Sequence, residues 1–158
     1  MKISIANDHR GRSLALHICQ AFSHHPSIEL RYLGNQEITT SSDYPDYAYA
    51  VAQDIVHHLS TLGILICGSG LGMTISANKV PGIRAVPCHT KELAQLARSH
   101  NDANILCLGA NIISFSTAID IIHAFIETPF EGGRHLQRIQ KIYHLEEHYA
   151  GLPHTLHS

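Results

Sequence analysis

Between positions 63 and 73 the chain reads Gly63-Ile64-Leu65-Ile66-Cys67-Gly68-Ser69-Gly70-Leu71-Gly72-Met73: an apolar run, a cysteine, then glycines alternating with Ser69 and Leu71. A run that short and apolar, closed by a glycine-rich turn, reads as a strand buried on both faces. The glycines let backbone amides face a cavity without side-chain obstruction. A helix opening there adds the partial positive charge of its N-terminus. A thiol at the lip of such an anion nest has its thiolate stabilised, so Cys67 reads as a base or nucleophile. The plainer reading is a small core cysteine beside a common strand-to-helix turn. A dinucleotide fingerprint fits less well, because G-x-G-x-x-G needs glycine where Met73 stands and the turn follows the third strand rather than the first.

The remaining chain supplies partners for that strand. Ile3 to Ala6 is a strand that delivers Asn7-Asp8-His9 to its carboxyl end, and Leu14, Ile18, Ala21 and Phe22 recur at helical spacing until His24-His25-Pro26. Ile28 to Leu33 is a second strand. The polar segment from Asn35 to Asp43 reads as an exposed loop, and Asp43-Tyr44-Pro45 opens a helix with proline in its first turn. After the glycine turn a helix runs to Asn78, Ile83 to Val86 is a fourth strand, and Thr90 caps another helix. Asn104 to Leu108 is a fifth strand. A helix ended by Pro129 follows, and a last helix runs from Gly132-Gly133 to about Tyr149, leaving a frayed tail over 151–158. Strands alternating with helices specify βαβ units. The expected fold is α/β: one Rossmann-like three-layer sandwich over 1–150, with a five-stranded parallel sheet and a C-terminal helix.

A length of 158 residues supports one domain with a sizeable core. A charged fraction of 15% and a formal net charge of -2 give no basic excess for nucleic acid or an anionic membrane. No apolar run approaches a membrane span, and Met1-Lys2 leads straight into a strand, so a cytoplasmic protein is expected. Cys19, Cys67, Cys88 and Cys107 show no C-x-x-C spacing and read as reduced thiols.

Ligands of open parallel sheets sit beyond the carboxyl ends of the strands. Asp8-His9, Tyr44 and the segment from Cys67 to Gly72 all fall on that rim, although a helix cap or a packing tyrosine accounts for each of the first two singly. On the last helix Arg134, Arg138 and Lys141 form one basic stripe at i, i+4 and i+7. It begins just after Gly132-Gly133, where a helix terminus and two arginines suit a phosphate.

Together these pieces resemble the type B ribose-5-phosphate isomerases and the galactose-6-phosphate isomerase subunits. The matching residues are Asn7-Asp8-His9, Ser42-Asp43-Tyr44-Pro45, Ile66 to Gly72, Ala77-Asn78-Lys79, Gly82-Ile83-Arg84-Ala85, His100-Asn101-Asp102-Ala103-Asn104, and Glu131-Gly132-Gly133-Arg134-His135 with Arg138. They run in family order over nearly the whole chain.

The resemblance implies aldose–ketose isomerisation of a sugar phosphate through an enediolate, with no metal or organic cofactor. Cys67 matches the proton-transfer base. Ser69, where the family usually has threonine, matches an enediolate stabiliser together with the amides of Gly68, Gly70 and Gly72. His100 matches the residue that opens the furanose ring. Asp8 and Tyr44 match groups that hold or deprotonate sugar hydroxyls, and Asn101 a group near the enediolate. His9, Arg134 and Arg138 match phosphate ligands. Two departures stand out. Met73 occupies the place where some members carry a glutamate base, which favours Cys67. Asn111 stands in a run where the family commonly has a phosphate-binding arginine, and Arg10 is the neighbouring cation that could replace it.

Ribose 5-phosphate is the default substrate; allose 6-phosphate, galactose 6-phosphate and a binding-only domain are the alternatives. His100 precedes the fifth strand and so belongs near the rim opposite Cys67, which with the resemblance implies a homodimer with shared sites, or a dimer of dimers. A rival motif, His144-Leu145-Glu146-Glu147-His148, fits H-x-x-E-H. It lies at the end of the last helix without a clear third ligand and reads as an exposed polar helix end.

Overall fold

A computed structural model describes residues 1–35 and 41–151. The tail beyond Gly151 and the central part of the 35–43 loop lie outside the described residues. Among those described, five strands and six helices alternate: β1 (Lys2–Asn7), α1 (Arg12–Phe22), β2 (Glu29–Tyr32), α2 (Tyr44–Val56), β3 (Leu62–Cys67), α3 (Leu71–Ala77), β4 (Ala85–Pro87), α4 (Lys91–Asn101), β5 (Ile105–Gly109), α5 (Phe115–Glu127) and α6 (Arg134–Tyr149). The strands form one parallel sheet in the order β2-β1-β3-β5-β4, as expected for an α/β sandwich. No helix among the described residues is long and apolar enough to cross a membrane.

Period-two alternation assigns the strand residues to two cores. Ile64 and Ile66 of β3, with Ile3 and Ile5 of β1, pack under Leu14 and Ile18 of α1 and Phe125 of α5. Leu65 and Cys67 face the other way, against Val51 and Ala52 of α2 and Met73 of α3. The all-apolar run of β3 therefore reflects a strand buried on both faces. Emptying one such position, as in Ile64→Ala, costs on the order of 2–5 kcal/mol.

A buried polar contact fixes α2 over the sheet. Ser4 Oγ of β1 donates to Asp54 Oδ2 of α2 at 2.6 Å and lies 2.7 Å from Ser60 Oγ, while Arg31 Nε of β2 pairs with the same carboxylate at 3.0 Å. Losing one partner would leave that carboxylate buried and underpaired, which is the costly outcome for such groups.

The fourth strand differs from its expected span. Ile83 N–H donates to Val80 O, and Arg84 N–H donates to Asn104 Oδ1 at 2.8 Å, so both amides are committed before the ladder begins at Ala85. Ile83 is still buried, as an apolar loop residue.

Candidate active site

The sheet order reverses between β1 and β3, the position where open α/β sheets form a crevice. Asn7 is in register with Ile66, and Asp8 N–H donates to Ile66 O at 3.2 Å, so Asp8 and Cys67 leave adjacent strands side by side. Beyond them lies a cavity of ≈ 430 Å³ lined by Asp8, His9, Tyr44, Cys67, Gly68, Ser69 and Gly72. That volume is within the usual range for small-molecule sites. A cavity of ≈ 490 Å³ elsewhere, between Ile55, Ser60, Arg84 and Tyr143, contains none of the residues nominated from sequence.

Cys67 ends β3 and is buried, and Gly70 N–H donates to its Sγ at 3.1 Å. That turn requires Gly70 at φ +80°, in the left-handed region that glycine enters without strain. Gly70 therefore serves the site through its amide rather than by lining the cavity. Ser69 Oγ accepts from Leu71 N–H at 3.3 Å. Met73, in the first turn of α3, is fully buried in the same core cluster as Cys67.

Cys88 and Cys107 are buried away from the cavity, and burial pushes them up to about 11 and about 12. They remain protonated core groups.

Asp8 does act as a cap: its Oδ1 accepts from Arg10 N–H and Gly11 N–H, both at 2.9 Å, and so shapes the turn into α1. It also lines the cavity. His9 N–H donates to Ser42 Oγ at 3.0 Å, and Ser42 N–H reaches His9 Nδ1 at 3.4 Å. With Nδ1 accepting, a neutral His9 ring carries its proton on Nε2, a donor suited to an anion. Sequence reasoning gave Ser42 no role of its own; its place three residues before the α2 proline was the available signal. Tyr44 begins α2 and rests against Gly72.

The 109–111 loop closes the cavity from the β5 side. Ala110 N–H donates to Cys67 O at 2.8 Å and Asn111 N–H to Gly68 O at 3.0 Å. A Cβ at Gly68 would stand 3.1 Å from both Arg10 Cδ and Asn111 Nδ2, so these two side chains flank the glycine turn. Arg10, the cation that could replace the missing arginine, thus reaches the same glycine turn as Asn111.

Besides Gly70, four nominated residues do not line this cavity, and these four lie away from it. His100 and Asn101 end α4 near the amino edge of the sheet, where Arg84 Nε donates to Asn101 O at 3.0 Å. The His100 ring stacks on His135 with centroids 4.3 Å apart and planes 9° from parallel. Glu131 N–H donates to Ser99 O at 3.0 Å, which brings the start of α6 to the same place. Arg134 and Arg138 extend from α6 into solvent. Burial pushes the His135 imidazole below its ordinary value, with help from His100, Arg134 and Arg138 and against the influence of Glu131. The rival helix-end motif is put to structural use, since Glu146 Oε2 accepts from Gly82 N–H at 3.0 Å while His144 and His148 are exposed.

Known proteins share this fold. The ribose-5-phosphate isomerase B structure from Clostridium thermocellum has a TM-score of 0.92 and 41% identity, covering 95% of this chain and 100% of that one. Ribose-5-phosphate isomerase B from Mycoplasma genitalium, solved with bound ribulose-5-phosphate, has a TM-score of 0.88 and 39% identity over 92% of this chain and 96% of its own. Ribose-5-phosphate isomerase B of Escherichia coli is 44% identical over 106 residues, which is 67% of this chain and 71% of that protein. The model of the ribose/galactose isomerase family matches residues 3–142. That span takes in the sheet from its second residue onward, the glycine turn and just over half of α6, and the chain accordingly belongs to the ribose/galactose isomerase family.

Proposed function

We infer that the chain interconverts ribose 5-phosphate and ribulose 5-phosphate through an enediolate, with Cys67 as the base. The observation that carries this reading is the Gly70 N–H bond to Cys67 Sγ at the back of a cavity lined by Asp8, His9, Tyr44 and Ser69. The relatives named ribose-5-phosphate isomerase B support the choice of sugar.

In the forward direction the Cys67 thiolate takes the proton from C2 of the open-chain aldose. The C–H electron pair forms the C1–C2 double bond, and the former carbonyl oxygen on C1 takes the negative charge. Returning the proton to C1, while the C2 hydroxyl proton moves to O1, gives the ketose. Ser69 Oγ and the loop amides stabilise the enediolate oxygen. Asp8 and Tyr44 hold sugar hydroxyls and carry the oxygen-to-oxygen proton. His9 and Arg10 bind phosphate from this chain.

His100, Asn101, Arg134 and Arg138 complete the site from the second subunit of a homodimer, with His100 opening the furanose ring. The separation of these four from the Cys67 cavity supports a shared site. The scheme uses no metal or organic cofactor.

The test is turnover of the purified protein across pentose and hexose phosphates, with exchange of the C2 hydrogen followed in heavy water. Ribose 5-phosphate should give the highest kcat/KM, with solvent deuterium entering at C2. Preference for a hexose 6-phosphate would overturn the substrate, and binding without exchange would overturn the chemistry.

A further inference from the structure

His100, Glu131 and His135 converge beside the amino edge of the sheet, and their ligand-type atoms all lie within 4.8 Å of one another. Both imidazole Nε2 atoms face the same oxygen, Glu131 Oε2, at 4.0 Å from His100 and 3.6 Å from His135. Both distances are too long for hydrogen bonds. His135 is only 4% exposed, and its Nε2 is buried without a hydrogen-bond partner. Buried polar atoms are normally satisfied, and this one is aimed at a carboxylate it does not reach.

We propose that His100, Glu131 and His135 bind one divalent cation of the zinc class per chain, and that occupancy withdraws His100 from ring opening. The second half rests on the isomerase reading above; the first does not. Two imidazole nitrogens and one carboxylate oxygen form a donor set that zinc takes at about 2.0–2.2 Å, with water completing a tetrahedron. Calcium and magnesium take oxygen ligands and are poorly served by two imidazoles.

Tetrahedral donors at those bond lengths stand about 3.4 Å apart. The two nitrogen–oxygen separations must therefore shorten by about 0.6 Å for His100 and about 0.2 Å for His135. The near-parallel stack directs the two ring lone pairs along parallel lines, so one ring has to tilt toward the other. His135 is held by burial. His100, with its side chain 38% exposed at the end of α4, is free to turn, and the 59% exposed Glu131 side chain can follow. The tilt that makes the site is the tilt that removes His100 from its sugar-facing pose. Arg134 and Arg138 on the same helix oppose a cation, which places the site among those that respond to added zinc rather than those that hold a permanent ion.

The full-length protein, freed of metal, is titrated with Zn²⁺ against a chromophoric chelator, and with Co²⁺ followed by its visible bands. One ion per chain should bind, giving a tetrahedral Co²⁺ spectrum without sulfur charge transfer, unchanged in Cys67→Ser. Glu131→Gln, an exposed substitution that leaves the core intact, should weaken binding by about tenfold or more, and His135→Gln by about a hundredfold. Turnover should fall as the site fills, recover on chelation, and persist in Glu131→Gln at the same zinc concentration. Binding that is indifferent to both Glu131→Gln and His135→Gln overturns the site, as does binding lost in Cys67→Ser. Binding at the cluster with turnover unchanged overturns the withdrawal of His100. Because binding is read without substrate, failure of the isomerase reading would be seen separately.

Discussion

Tyr44 lies across Gly72 so closely that a Cβ on the glycine would stand 2.7 Å from the ring Cζ. The first residue of α2 is thereby positioned by the first turn of α3, and the phenol is held at the cavity wall beside Cys67. Gly72→Ala should displace the ring rather than unfold the chain, because Tyr44 is 41% exposed and its outer end has room to swing. The expected result is a Tm close to the parent's with a fall in kcat/KM at least as large as that of Tyr44→Phe, which removes only the hydroxyl. A fully active Gly72→Ala would show that the ring position does not matter to the reaction.

Cys67→Ala should abolish isomerisation and C2 exchange while sugar-phosphate binding largely survives, as measured by calorimetry beside a turnover assay. Near-normal turnover would remove Cys67 as the base. Ser69→Ala should be milder, since the loop amides remain; losing one oxyanion donor lowers kcat by about two to three orders of magnitude.

Arg10 and Asn111 both flank Gly68, and both line the cavity. Arg10→Ala and Arg138→Ala should each weaken phosphorylated ligands far more than the corresponding free sugars, because the lost contact is charge-assisted. Equal weakening of both ligand types would assign packing roles instead. Asn111→Arg should tighten phosphate binding most in the Arg10→Ala background, where the local charge has been removed.

Much of this was legible because β3 is apolar on both faces and its glycine turn is unambiguous. The chain order of strands and helices follows from period-two and helical patterns. The spatial order does not: that β5 lies between β3 and β4 is decided by pairing between distant segments. The Ser4–Asp54–Arg31 contact was equally hidden, since a serine in a strand, an aspartate in a helix and an arginine in another strand carry no shared local signal. On α6 the basic stripe was readable, but not that His135, one residue along, turns inward to meet His100. The β4 boundary shifted because Asn104, twenty positions further on, takes the Arg84 amide.

The buried thiols predict a loss of stability at alkaline pH. Cys88 and Cys107 titrate at about 11 and about 12 in the folded chain, against 9.0 for an ordinary thiol, and burial raises Tyr32 as well. Above pH 9.0 the unfolded chain releases thiol protons that the folded chain retains. The unfolded state then binds fewer protons, so stability is full below that pH and declines as pH rises toward the folded-state values. Urea midpoints should fall with pH across this window, and the slope should be shallower in a Cys88→Ala, Cys107→Ala double variant. An unchanged slope would assign the decline to other groups.

The separation between Cys67 and His100 sets the last prediction. Cys67 is in register with Gly109, the final residue of β5, whereas His100 precedes the first residue of that strand. The two therefore lie toward opposite edges of the sheet, and one small sugar cannot easily bridge them within a single chain. A two-fold axis can place the His100 of one chain over the Cys67 of another. Cys67→Ala and His100→Asn chains, each inactive alone, are mixed, dissociated and allowed to reassociate. Random pairing should restore activity at about a quarter of the sites, since about half the dimers are mixed and one of their two sites is intact. Native mass spectrometry verifies the mixed dimers independently of activity. If verified mixed dimers are as inactive as their parents, the sites are not shared, and His100 must reach Cys67 within its own chain through a rearrangement of α4.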